Sequence, residues 1–202
     1  MPGLVAPRNL VINFAPSTRQ YELWKLLQPN HCPHCGGAII QSQAGIDRQG
    51  HPIYKPQCAQ CGTYDLPQLI LGGGSAGGGK SYLGSCWIVS NCMRFPDLRA
   101  VIARKTIKSL KGSTFKTMRN VLREWGLKEG VNYKINNLEG ILTFWNGSEV
   151  TLVELEQIPS DPDFQRLGSN EWTIGMIDEA SEVSERAVEV LFSRLRYNLE
   201  NT

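Results

Sequence analysis

At 202 residues, 41% hydrophobic and 20% charged, the chain has the composition of a folded soluble protein with room for one α/β core and a small insert. No apolar run approaches the roughly 20 residues of a membrane span, and the opening Met-Pro-Gly-Leu-Val-Ala-Pro lacks the basic segment and apolar core of a secretory leader. A net charge of +2 confines any nucleic-acid contact to a local patch.

Residues 1–16 are Pro-rich and predicted irregular. A helix is expected from its N-cap Ser17 to Leu27, with Leu23, Leu26 and Leu27 on one side and Pro29 closing it. Cys32-Pro-His-Cys35-Gly and Cys58-Ala-Gln-Cys61-Gly follow, 22 residues apart across a polar stretch. Two such pairs have the layout of a four-thiolate zinc site, each on a tight turn whose following glycine relieves the backbone. Disulfides or redox motifs are the competing reading, disfavoured by the shared Cys-x-x-Cys-Gly form. His31 and His34 lie beside the ligands, but four thiolates already fill a tetrahedron, so the site is structural and folds the insert. Thiols at metal spacing beside a nucleotide site suggest a reducing, cytosolic setting.

Gln68-Leu-Ile-Leu71 is a short apolar run that reads as a buried strand. It leads into Gly74-x-x-x-x-Gly79-Lys80-Ser81, and the residues from Ser81 to Asn91 read as a helix. Strand, glycine-rich loop and helix in that order make a phosphate loop rather than a flexible glycine linker. Glycines let successive N–H groups of Gly74, Ser75, Ala76, Gly77, Gly78 and Gly79 turn inward around a phosphate. Lys80 brings a charge to the β- and γ-phosphates of ATP, Ser81 offers its hydroxyl to Mg²⁺, and Tyr82 borders the same site. The helix N-terminus favours the anion. Cys86 and Cys92 on that helix read as packed rather than reactive.

Leu98 to Ala103 reads as the next core strand, ending in Arg104-Lys105. Residues 107–125 have helical spacing, with Phe115, Met118, Val121 and Leu122 on one face. The other carries Lys105, Lys108, Lys111, Lys116, Arg119 and Arg123, either a solvated face or a DNA or nucleotide contact. Gly126 to Gly140 reads as a polar turn region, and Ile141–Trp145 with Glu149–Leu155 as a hairpin turned at Asn146-Gly147. Asp161, Asp163, Arg166 and Gly168 fall in a loop. A mostly apolar run then ends in Asp178-Glu179, and a last helix is expected from Ser184 to Leu199. Downstream of a phosphate loop, such a strand delivers one carboxylate to Mg²⁺, Asp178, and one to polarise the water that attacks the γ-phosphate, Glu179.

These pieces specify an α/β fold: a P-loop NTPase of the motor (ASCE, RecA-like) type, a mainly parallel sheet flanked by helices, with a small zinc-binding insert. Residues 1–30 form an N-terminal segment, 31–62 the four-Cys insert and 63–202 the ATPase core. From 68 to 197 the chain resembles phage terminase large subunits, the ATP-driven motors that package DNA into proheads. The resemblance rests on Gly74–Ser81, Val101-Ile-Ala-Arg-Lys-Thr106, Leu167-Gly-Ser-Asn-Glu-Trp172, Met176-Ile-Asp-Glu-Ala180 and Arg194-Leu-Arg196, in that order. Asn13 to Gln20 is similar to the family's adenine-recognition segment, which implies that Gln20 reads adenine; an exposed helix glutamine is the alternative.

The resemblance also implies that Arg104 or Arg166 contacts the nucleotide, one acting in trans as an arginine finger, without choosing between them. It implies double-stranded DNA, a portal or prohead and a small terminase subunit as partners, a homo-oligomeric ring, and the host cytoplasm as setting. The zinc insert is not general in the family. The family's lid and nuclease domain do not lie in this sequence, so no nuclease activity is expected of it. Two other readings stand beside the packaging motor: a helicase or repair ATPase, and a nucleotide- and zinc-binding module that does not hydrolyse ATP by itself.

Overall fold

The computed structural model describes residues 3–7, 15–27, 32, 34–46, 52–63, 72 and 79–197. The expected strand at 68–71 and loop residues 73–78 lie outside the described residues, as does His31. By internal contacts the chain divides into two compact units, Ala15–Lys80 and Met1–Phe14 with Ser81–Thr202.

In the first unit, α1 (Thr18–Leu27) starts at the expected N-cap. The Ser17 hydroxyl accepts from the Gln20 N–H at 3.4 Å and the Ser17 N–H donates to Gln20 Oε1 at 2.9 Å, a reciprocal capping box. The polar stretch between the cysteine pairs has regular structure. It holds two antiparallel strands, β1 (Ile39–Ile46) and β2 (Pro52–Cys58), with Ile39 opposite Cys58. The few apolar side chains there hid the hairpin, which brings distant cysteines to one end.

The second unit is a mixed α/β fold. Its elements are α2 (Lys80–Arg94, entering from the first unit), β3 (Arg99–Arg104), α3 (Ile107–Gly112), α4 (Thr114–Glu124), β4 (Tyr133–Asn136), β5 (Ile141–Phe144), β6 (Glu149–Glu154), β7 (Ile174–Ile177) and α5 (Glu185–Ser193). The five strands are ordered β4-β5-β6-β3-β7. β3 pairs in parallel with β6 and β7, and β5 runs antiparallel to both β4 and β6, so four of the five strands point the same way. Ala100, Val101, Ile102 and Ala103 are each 0% exposed, as expected of a central strand covered on both faces. On one face Val101 and Ala103 join Val153, Phe164, Trp172 and Leu191, the last from α5. On the other, α2 approaches β7 so closely that a Cβ on Gly84 would collide with Met176 Sδ.

The C-terminal end of α2 is closed by the β5–β6 turn. Asn146 Nδ2 donates to the Cys92 carbonyl at 2.8 Å, and the buried Ser148 hydroxyl reaches the carbonyls of Cys92 (2.8 Å) and Phe95 (2.7 Å). These are end-of-helix acceptors with no partner in their own helix.

Three expectations are corrected. The single helix over 107–125 is two helices, broken at Ser113 (φ −122°, ψ −76°), whose hydroxyl bonds back to the Ser109 carbonyl at 2.8 Å. The region 126–140 contains β4, whose Tyr133 is buried beside exposed Lys134. The last helix stops at Ser193, because residues beyond it pair with the strand entry instead: Trp172 N–H donates to the Arg194 carbonyl at 2.9 Å and Tyr197 N–H to the Trp172 carbonyl at 3.0 Å.

Candidate functional site

Parallel strands deliver residues to the sheet edge at their C-terminal ends, where α/β folds bind ligands. β7 ends there just before Asp178, whose N–H continues the ladder to the Ala103 carbonyl at 2.9 Å. Two hydroxyls converge on its carboxylate. Ser81 Oγ, from the first turn of α2, donates to Oδ1 at 3.0 Å, and Thr114 Oγ1, the first residue of α4, donates to Oδ2. Ser81 and Asp178 were both predicted; Thr114, 0% exposed, was not. The available signal was Gly112-Ser-Thr114, small polar residues interrupting an otherwise amphipathic helix.

Glu179 follows with φ +51° and ψ +53°, a left-handed conformation that is uncommon for a residue with a side chain. It turns the chain out of the strand into a short 3-10 turn, Ala180–Glu182, with the Glu182 N–H on the Glu179 carbonyl at 2.9 Å. The Glu179 side chain is exposed and makes no hydrogen bond or ion pair among the described residues. A left-handed backbone here costs on the order of 1–3 kcal/mol, which the surrounding fold must supply.

The two candidate arginines differ sharply. Arg166 is saturated: Nη1 meets Asp161 Oδ2 at 2.8 Å, Nη2 donates to the carbonyls of Glu154 (3.4 Å) and Glu156 (2.5 Å), and the guanidinium stacks over Phe164 at 5.0 Å. Burial works against the Asp161 carboxylate, but Arg166 and the N–H groups of Gln165 and Arg166 hold it below its ordinary range. Arg104, at the end of β3 next to Asp178's strand, donates to Ser113 Oγ and stands 4.0 Å from Glu182 Oε2. Its Nε is buried and makes no hydrogen bond, and the Glu182 carboxylate at ion-pair distance is what answers its charge.

Lys80 is the first residue of α2. Tyr82 donates its hydroxyl to Glu124 Oε2 at 2.9 Å, and burial followed by that carboxylate pushes its pKa up, so it stays a neutral phenol. Gln20, by contrast, lies in the first unit with Gly79: its Nε2 donates to the Gly79 carbonyl at 3.3 Å while Oε1 caps α1. A Cβ on Gly79 (φ +69°) would collide with that Nε2, so glycine is required twice over. Gln20 is therefore brought to the end of the expected loop, but reading an adenine edge requires it to release two bonds. Gly74, Ser75, Ala76, Gly77 and Gly78 lie outside the described residues.

The four cysteines form a second cluster in the first unit. The Sγ atoms of Cys32, Cys35, Cys58 and Cys61 all lie within 4.8 Å of one another. Cys32 and Cys61 are 3.6 Å apart and Cys35 and Cys58 3.4 Å. A tetrahedron of thiolates at about 2.3 Å from zinc has edges of roughly 3.8 Å, so the cage is of the right size for an ion. Gly37 N–H points at Cys35 Sγ, and Gln60 and Cys61 N–H point at Cys58 Sγ, each at 3.4 Å. Gly36 (φ +74°) and Gly62 (φ +73°) make the turns. The Cys61 N–H, despite burial, and then the Gln60 N–H hold the Cys58 thiol down at about 6. Although the Thr63 N–H favours its thiolate, contact with Cys58 pushes Cys61 up to about 12. One ionised sulfur thus suppresses the next, and a cation held among them would favour the thiolate at each. No disulfide joins them. Cys86 and Cys92 are buried in α2; burial pushes Cys86 up to about 12 and Cys92 higher, so both remain packed thiols.

A family model described as phage terminase large subunit matches residues 68–202. Among solved structures, the large terminase of a thermophilic bacteriophage aligns at 18% identity over 61% of this chain and 30% of that chain, with a TM-score of 0.51. The same terminase in complex with ADP aligns at 20% identity over 62% and 30%, with a TM-score of 0.53. The likeness to these structures is one of fold, and the chain spans about 30% of their length. No curated protein matches it. The cysteine cluster lies ahead of the matched region.

Proposed function

Since the chain belongs to the phage terminase large subunit family over residues 68–202, we propose that it is the ATP-hydrolysing part of a motor that drives double-stranded viral DNA into a prohead. The observation that carries this reading is the 3.0 Å bond between Ser81 and Asp178. Residues 97 apart in sequence meet at the sheet edge as the hydroxyl–carboxylate pair that P-loop ATPases use for Mg²⁺. One structural neighbour is a complex with ADP, in keeping with a nucleotide site. The family match favours a packaging motor over a helicase or repair ATPase.

In this reading Gly74–Gly79 and Lys80 cradle the phosphates, and Ser81 with Asp178 would hold Mg²⁺. The ion supplies charge neutralisation on the β- and γ-phosphates when bound. Glu179, exposed and without a side-chain partner among the described residues, takes up and polarises the attacking water as general base. Arg104, at the end of β3 beside the strand of Asp178, is the arginine that meets nucleotide in exchange for Ser113 and Glu182; Arg166, held by Asp161 and two carbonyls, is structural. Gln20 contacts the base after exchanging its bonds to Ser17 and Gly79. Cys32, Cys35, Cys58 and Cys61 hold a structural Zn²⁺ that locks the β1–β2 hairpin. A ring of copies in the host cytoplasm, docked on the portal and fed by the small terminase subunit, is the assembly the family implies.

The test is Mg²⁺-dependent ATP turnover by this chain, with and without linear duplex DNA. Steady multiple turnover, raised by DNA, is the expected result. Nucleotide binding with no turnover would instead make the chain a binding module that another copy or segment must complete.

Thr114 acts through Asp178 as a positioning residue. Thr114→Val keeps the buried shape but removes the donor to Oδ2, and the Mg²⁺ concentration for half-maximal turnover should rise about 10-fold or more, with Thr114→Ser restoring it. An unchanged Mg²⁺ requirement with lowered thermal stability would reduce Thr114 to packing.

A further inference from the structure

Helix α4 does two things. Its buried face packs Met118, Val121 and Leu122 into the core, while its exposed face lines an open cleft of about 660 Å³ with the end of α3 and the chain before β4. Five cations border this cleft, Lys111, Lys116, Arg119, Arg123 and Lys128, against one carboxylate, Glu129. The chain as a whole carries a net charge of +2, so this is a marked local excess. Glu129 pairs with Arg119 at 3.4 Å. The other four cations have no acidic partner among the described residues: Lys111 Nζ donates to the Asn137 carbonyl at 3.0 Å and Arg123 to Asn120 Oδ1 at 3.1 Å. Glu124, the acidic residue at the end of α4, is turned to Tyr82 and does not line the cleft.

We propose that this cleft is a sequence-independent binding surface for the phosphate backbone of duplex DNA; the proposal rests on the packaging-motor reading. Lys116, Arg119 and Arg123 span seven residues of helix, about 10 Å of axis and close to the rise of three nucleotides of one strand. Lysines and arginines at that spacing, of which only Arg119 has an acidic partner among the described residues, match a row of phosphates and release their counterions. The aromatic residues of the floor, Phe115 and Tyr133, are only 6% and 5% exposed, so they offer no ring for a base to stack on. Contact is thus confined to backbone charge, which suits a motor that must hold every sequence it meets.

The experiment is a titration of a short fluorescent duplex of mixed sequence with the full chain at several salt concentrations, comparing wild type with Lys116→Gln/Arg123→Gln. Arg186→Gln/Arg196→Gln, which removes the same charge from exposed sites elsewhere, is the control. Wild type is expected to bind with a micromolar or weaker constant, falling steeply with salt. The cleft variant should lose affinity at least about tenfold at low salt, with its log–log salt slope reduced by about 2, and should bind unrelated sequences equally. Equal loss in the control, no loss in the cleft variant, or no binding by wild type overturns the proposal. ATP turnover measured on the same samples separates this from the motor reading: turnover without cleft-dependent DNA binding sinks only the cleft, and cleft-dependent binding without turnover sinks only the motor. Polyglutamate run in parallel tests the other occupant; cleft-dependent binding of that polymer and not of DNA assigns the surface to an acidic protein.

Discussion

Glu179→Gln is expected to lower steady ATP turnover by about 10²- to 10⁴-fold and to leave nucleotide affinity nearly unchanged, the range lost when a positioned general base is removed. The substitution keeps size and reach while removing the acceptor that takes the water's proton. Because the side chain is exposed and unpartnered among the described residues, its loss has little to do with folding. The backbone at φ +51° is set by the strand end and the following turn, so Gln occupies the same place. Nucleotide binding by fluorescence and turnover by phosphate release separate the two effects. A variant that turns over like wild type would remove Glu179 from the mechanism, while loss of binding as well would make it a ligand contact.

Cys58→Ser should cut bound zinc from one equivalent per chain to near none and open the β1–β2 hairpin to protease. Cys58 would be the central ligand: it is 1% exposed, receives two N–H bonds and ends β2 opposite Ile39. The hairpin has few apolar side chains to bury, and apparent zinc-binding free energies of about 10–16 kcal/mol in small thiolate sites are what such segments fold on. Zinc is also expected to leave as pH falls, since each thiolate must be protonated to let go. Metal analysis with proteolysis checks this, with Cys86→Ser, a thiol buried in α2, as the variant that retains its metal. Full zinc retention by Cys58→Ser would show that the cluster is not a four-thiolate site.

What was legible in the sequence is what short-range pattern encodes. The cysteine pairs signal themselves through local spacing, Asp178 through an apolar run that stops at a carboxylate, and the Asn146-Gly147 turn through the backbone it demands. The features that escaped depend on partners far away. The periodicity of Phe115, Met118 and Val121 runs smoothly back across Ser113, and only the pull of Arg104 and Asp178 on Ser113 and Thr114 shows why the helix breaks there. Leu195 continues the helical spacing of α5, yet it packs against Gly175 from a segment paired with Trp172. β4 is four residues with one buried aromatic, too short for alternation to register. The difference between Arg104 and Arg166 was invisible for the same reason: one ends a strand and the other sits in a short turn, and only Asp161 and the carbonyls of Glu154 and Glu156 mark Arg166 as occupied.

The closure of α2 by Asn146 and Ser148 also sets an order in time. The donors that satisfy the Cys92 carbonyl lie 54 and 56 residues downstream. At a synthesis rate of roughly 5–20 residues per second, they are made some 3–10 seconds after the helix they finish. On the ribosome, therefore, the helix that begins with Lys80 and Ser81 waits with its far end hydrogen-bonded to water until the β5–β6 turn arrives. The strand bearing Asp178 comes later still, so the nascent chain has its phosphate-side helix well before it has the carboxylate that helix must meet.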